Sequence, residues 1–76
     1  MIVDSRKVGR LCKSFRKNFT NYRQIDVGFD LGYSQENIAS YEQGRNNNFT
    51  ILLWYISKGL DIDVLLKECI SLEDDE

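Results

Sequence analysis

The chain has 76 residues, 42% hydrophobic and 29% charged, with two cysteines and no histidine or proline. Such a chain makes one domain and buries only roughly 60% of its unfolded surface; its composition excludes a disordered polymer, and its longest apolar run, Ile51 to Ile56, is too short to span a bilayer. The net charge of −2 conceals a division: residues 1–50 carry eight Lys/Arg against five acids, residues 51–76 two against seven, so one end attracts phosphate and the other repels it.

The opening MIVDSRK has no apolar run followed by small residues. It is not expected to be a signal peptide, and the chain is expected to be cytoplasmic, without a membrane partner. Asp4 or Ser5 can cap a first helix over about residues 5–18. Val8, Leu11, Cys12, Phe15 and Phe19 share one face by helical spacing, and Arg6, Lys7, Arg10, Lys13 and Lys17 occupy the others. The polar residues Asn18, Thr20 and Asn21 break the pattern.

A second helix runs from about Arg23 to Leu31, with Val27, Gly28 and Leu31 inward. Gly28 costs such a short helix about 1 kcal/mol relative to alanine, which makes sense where the following helix crosses closely. Gly32 suits a left-handed C-terminal residue, and Tyr33 can turn back into the core. Ser34 then caps a third helix over about 35–43, with Glu36 in its favourable first turn. Ile38 and Tyr41 face inward. Gln35, Glu36, Asn37, Ala39, Ser40 and Gln43 form a short-chained polar outer face, and Gly44 ends the helix before the polar loop Arg45–Asn48.

A fourth helix is expected to begin after Asn48 and run to about Lys58, with Phe49, Leu52, Leu53 and Ile56 inward. Trp54 and Tyr55 are expected beneath a fifth helix, or at a subunit interface. That fifth helix, capped by Asp61 or Asp63, is expected to reach Ser71, with Ile62, Leu65, Leu66, Cys69 and Ile70 apolar. Leu66, Ile70 and Leu72 could leave an apolar edge for a partner. Residues 72–76 read as an acidic, disordered tail, and no alternating strand pattern is seen. Cys12 and Cys69 fall on apolar stripes and are expected to be reduced core thiols; a disulfide between the first and last helices is the alternative. Without histidine or a third cysteine no metal site is expected. Without a nucleophile elbow, a phosphate loop or a carboxylate pair in a cleft, neither an enzyme nor a cofactor is expected.

Gln24, Gly28, Leu31, Gly32, Tyr33, Ser34, Gln35, Ile38, Glu42, Gly44 and Arg45 stand at a specific spacing. The stretch resembles the lambda-repressor-like, Cro/Xre-type helix-turn-helix family. The resemblance extends back to Phe15-Arg16 and forward through Leu53, Ile56, Leu60, Ile62 and Leu65-Leu66, covering about residues 8–66. It implies an all-α, compact five-helix domain over residues 1–71, with the helix-turn-helix at helices 2 and 3.

The resemblance also implies roles. Gln24 matches a phosphate-binding glutamine, with Arg23 adding a phosphate-seeking charge, and Arg45 and Asn46 match a loop that grips the DNA backbone. Gln35, Glu36 and Ser40 match positions that read base edges or brace them, with Asn37 and Ala39 beside them. Glu42 matches an acid that pairs with an arginine of the first helix, here Arg16. The chain departs from the family at Arg23, where a Thr or Ser cap is usual, and at Gly28, where alanine is usual. The segment between Arg16 and Gln24 is one residue longer than usual, which leaves Lys17 as an alternative partner for Glu42. The implied protein is a sequence-specific transcriptional regulator of the phage or prophage repressor kind. It would bind double-stranded operator DNA as a homodimer, with recognition helices roughly 34 Å apart, and a protein partner could control it. The alternative is a protein-interaction module on the same scaffold, an antirepressor or antitoxin-like adaptor, favoured by the net acidity and by Glu36.

Overall fold

Asp4 starts the first helix. Its carboxylate accepts from the amides of Arg6 at 3.1 Å and Lys7 at 3.2 Å, two donors that the first helical turn leaves without partners. The computed structural model describes residues 1–71. Within them the element order is β1 (Ile2–Val3), α1 (Ser5–Phe19), α2 (Gln24–Leu31), α3 (Gln35–Glu42), α4 (Phe49–Ser57), α5 (Ile62–Cys69) and β2 (Ile70–Ser71). The described chain is therefore mostly helical. The acidic tail expected at residues 72–76, including Leu72, lies outside the described residues.

The core is built from Val8 and Cys12 of α1, Val27 of α2, Ile38 and Tyr41 of α3, Ile51, Trp54 and Tyr55 of α4, Leu60, and Leu65 and Cys69 of α5. Both cysteines are free and buried. Phe19 departs from the stripe that its spacing suggested: it is 77% exposed at the last residue of α1 and stacks at 5.8 Å on Phe15. Spacing reports which face a residue shares, not how far along the helix that face stays covered. Thr20 closes α1 by donating its hydroxyl to the Arg16 carbonyl at 2.7 Å and accepting from the Tyr22 amide at 3.1 Å.

The buried face of α4 is only partly the one expected: Leu52 and Ile56 pack half-buried against the core, but they do not form its centre. Ile51, Trp54 and Tyr55 are inside, whereas Phe49 is 67% and Leu53 46% exposed. The helix FTILLWYIS is apolar nearly all round, so periodicity cannot choose its face. Aromatic and polar partners choose it. Trp54 meets Tyr22 edge-on at 5.0 Å and donates its indole N–H to Asp30 at 3.3 Å, and Tyr55 donates its hydroxyl to Glu42. Both side chains thus find polar or aromatic partners in the α1–α2 connection, α2 and α3, while sharing the core with Leu65 and Cys69 of α5.

The last helix also stops short of Ser71. It ends at Cys69, whose carbonyl accepts from the Asp4 amide at 2.8 Å. The chain then extends into β2, which pairs antiparallel with β1 in the register Ile2–Ser71 and Val3–Ile70. This two-strand ladder was not legible as alternation, because two residues are too few to show a period. It ties the start of α1 to the end of α5.

Candidate nucleic-acid interface

The connection from α2 to α3 is Gly32-Tyr33-Ser34. Gly32 adopts φ +77°, and its amide and that of Tyr33 both reach the Gly28 carbonyl, the latter at 2.8 Å. A side chain at Gly32 would strain this left-handed position. Gly28 is constrained by space instead. A Cβ built there would lie 2.6 Å from the Tyr33 carbonyl oxygen and 3.3 Å from that of Ser34. The close neighbour is therefore the backbone of the turn, not the crossing helix that the sequence suggested. Ser34 caps α3 by accepting from the Asn37 amide at 3.2 Å.

Gly9 sets the other approach. A Cβ there would lie 2.7 Å from the Tyr41 carbonyl oxygen and would meet the Glu42 carbonyl as well. The backbones of α1 and α3 thus touch where Gly9 passes the end of α3. Sequence reasoning gave Gly9 no role. A glycine in a helix interior, at a cost of about 1 kcal/mol, was the signal available.

Glu42 ends α3 and is 4% exposed. One carboxylate oxygen accepts from Arg16 Nε at 2.8 Å and from the Tyr55 hydroxyl; the other accepts from Arg16 Nη2 and Gln24 Nε2, both at 3.0 Å. Arg16, not Lys17, is the partner from α1. Its Nη1 also reaches the Tyr22 carbonyl at 3.2 Å. Burial acts to raise the Glu42 carboxyl, but the hydrogen bonds from Arg16, Tyr55 and Gln24 outweigh it and hold the group below the ordinary carboxylate value. Burial and the bond to Glu42 push the Tyr55 hydroxyl up, so it stays a donor. The sequence gives no sign of this role for Tyr55, because nothing in the spacing of α4 links it to a carboxylate 13 residues away.

Gln24 is the first residue of α2 and joins this buried network to the surface. Its Nε2 is held by Glu42, and its Oε1 accepts from Gln35 Nε2 at 3.4 Å. The structure thus brings Arg16, Glu42, Gln24 and Gln35 into one chain of side chains. Gln35, Glu36 and Asn37 are exposed on the first turn of α3, and Ala39 and Ser40 are half-buried further along. The Ser40 carbonyl accepts from the amides of Gln43 and Arg45 at 3.2 and 2.9 Å, which closes the helix.

Arg45 is exposed and lies just past Gly44, which adopts φ +80°. A Cβ on Gly44 would lie 2.7 Å from Arg6 Cα, so the loop runs against the first turn of α1. Asn46 accepts from the Asn48 amide at 3.1 Å, and Ser5 bonds Asn47. The loop is held from both sides, with Arg45 projecting from it.

Arg23 is not the free cation that the sequence suggested. Its Nε and Nη2 reach the Asp26 carboxylate at 2.9 and 3.0 Å, and its backbone amide reaches the same group at 2.9 Å. These bonds from Arg23 hold the Asp26 carboxyl down at about 2. The acid stands at the N3 position and serves as the cap that Arg23 itself cannot supply. Elsewhere, Lys7, Arg10, Lys13 and Lys17 of α1 line an open groove with Lys67 and Glu68 of α5. No family model matches the chain, and comparison with curated proteins and with solved structures finds no match.

Proposed function

We propose that this chain is a small sequence-specific DNA-binding transcriptional regulator with a lambda-repressor-like, Cro/Xre-type helix-turn-helix. In this reading α3 enters the major groove of a double-stranded operator, and the chain acts as a homodimer on a two-fold site. The observation that carries the reading is the exposed first turn of α3, where Gln35, Glu36 and Asn37 stand on a helix capped by Ser34 and anchored through Gln24 to buried Glu42. Base recognition uses polar side chains presented to base edges from an element in the groove, and the N-terminal turn of a recognition helix is one such place. Ser40 extends the reading face, with Ala39 beside it. Arg45 and Asn46 serve the DNA backbone, and the second N–H of Gln24 Nε2 is left for a phosphate oxygen.

A mobility assay across a salt series tests this. Binding through several phosphates makes affinity fall steeply with salt, with a logarithmic slope of about −0.9 per phosphate neutralised. Selection from a random DNA pool then reports the half-site and its spacing. Absence of binding to any DNA at low salt would sink the reading.

Two observations favour a second reading, a protein-interaction module on the same scaffold. Glu36 puts an exposed carboxylate on the first turn of α3, and Asp26 neutralises Arg23 at the start of α2. An antirepressor or antitoxin-like adaptor would use that face against a protein, with no dependence on DNA.

A further inference from the structure

We propose that the acidic segment of this chain, residues 72–76, seats itself on the cationic end of the groove between α1 and α5, against Lys7, Arg10 and Lys67; this goes beyond the DNA-binding reading and does not depend on it. Lys7, Arg10, Lys13 and Lys17 of α1 and Lys67 of α5 line that groove, and all are exposed. Glu68 is the only acid among the described lining residues, and none of these cations forms an ion pair among the described residues. Lys7 and Arg10, Arg10 and Lys13, and Lys13 and Lys17 stand three or four apart on one helix, a spacing at which like charges repel. The groove also faces away from α3. Gly9 is where α1 touches α3; Leu11 and Ser14, which line the groove, stand about 140–160° round the helix from it. A partner lying against α3 therefore leaves this groove open.

Charge and reach select the occupant. Residues 72–76 read Leu-Glu-Asp-Asp-Glu, with every residue after Leu72 acidic. They follow β2, and Cys69, immediately before that strand, is itself part of the groove wall. The pairing of β2 with β1 sets Ser71 beside Ile2, just ahead of α1. Five residues span at most about 17 Å, enough to return over the first turns of α1 to Lys7, Arg10 and Lys67. Lys13 and Lys17 lie about 9 and 15 Å farther along the helix than Lys7 and stay outside that reach. Single exposed ion pairs are weak. A short link, however, holds the acids at an effective concentration in the millimolar range, so even a weak contact is populated. Seated there, the segment shields this end of the groove from other polyanions.

A nitroxide on Glu76→Cys tests the contact in the full chain; Cys12 and Cys69 are buried and stay unlabelled. Paramagnetic broadening is read at the backbone amides of isotopically labelled protein, against the same sample with the nitroxide reduced. The amides of Arg10 and Lys67 should broaden. Their enhancement should fall at least about threefold in 1 M salt, where the screening length is about 3 Å, and by a similar factor at low salt in the double variant Lys7→Gln, Lys67→Gln. Enhancement that neither salt nor the double variant alters would show that the segment is only tethered nearby, and would overturn the inference. Nitroxide-bearing chains without isotope are then mixed with isotopically labelled chains without nitroxide. Broadening in that mixture would place the segment of a second copy in the groove, which overturns the inference too. All of this is read without DNA, so the regulator reading stands or falls separately.

Discussion

Tyr55 and Arg16 Nε meet the same carboxylate oxygen of Glu42, the latter at 2.8 Å. The two donors come from α4 and α1, on either side of the end of α3. One buried carboxylate therefore fixes α3 to both neighbours, and everything presented by its first turn is referred to that point. Glu42→Ala would strand the Arg16 guanidinium in the core, and breaking a buried pair in this way costs about 3–5 kcal/mol. Tyr55→Phe keeps the ring and removes only a hydrogen bond to a charged group, about 1.5–3 kcal/mol. Urea unfolding of the three proteins should show that order, and no loss in Tyr55→Phe would show that the ring, not the hydroxyl, is what α4 contributes.

Acid should weaken the fold through the same group. The Glu42 carboxyl is held below its ordinary value in the folded chain. Its contribution is complete above the unfolded carboxylate value and is lost as pH falls through the lower folded one. Asp26, held at about 2 by Arg23, titrates in the same direction but lies at the surface. Unfolding measured between pH 6 and pH 2 should therefore show falling stability, and Glu42→Gln should flatten that fall more than Asp26→Asn does.

Gly9→Ala should destabilise even though alanine is the better helix former by about 1 kcal/mol. Its Cβ would meet the backbone of Tyr41 and Glu42, which cannot move aside as a side chain can. Overpacking of this kind costs about 1–3 kcal/mol. The net loss should appear as a lower thermal midpoint, and an unchanged or raised midpoint would mean that α1 and α3 can separate freely.

If the proposed DNA-binding function holds, Asp26→Asn should strengthen binding to every sequence and steepen the salt dependence, because it releases the Arg23 guanidinium at the N-terminus of α2. Arg45→Ala should do the reverse, weakening all sequences alike. Gln35→Ala and Ser40→Ala should instead change base preference, with a loss of about 1–3 kcal/mol where a good contact is removed. If Asp26→Asn leaves the salt slope unaltered, Arg23 does not face the phosphates.

The thiols offer a check on the core. Burial pushes the Cys12 thiol up to about 12 and raises that of Cys69 as well. The reactive form is the thiolate. A thiol reagent at pH 8 should therefore label neither cysteine in the folded chain at an appreciable rate and both in denaturant. Rapid native labelling would show that α5 opens from α1.

Local signals were legible without tertiary structure. Ser34 before a polar turn, Gly32 after Leu31 and Gly44 after Glu42 mark ends of α2 and α3, because caps and left-handed residues act within a few positions of themselves. The helical nature of the chain and its polar α3 face follow from such local rules and from spacing. What needed the third dimension was every choice between equivalent partners. Spacing alone left both Arg16 and Lys17 open to Glu42, and only the placement of α1 on α3 through Gly9 selects Arg16. An almost wholly apolar α4 cannot announce its buried face; the carboxylate of Glu42 and the ring of Tyr22 select it. Arg23 reads as a free cation until Asp26 is seen to hold it. The link from Gln24 to Gln35 likewise joins two helices, and hydrogen bonds between elements depend on their relative position, which no local pattern encodes.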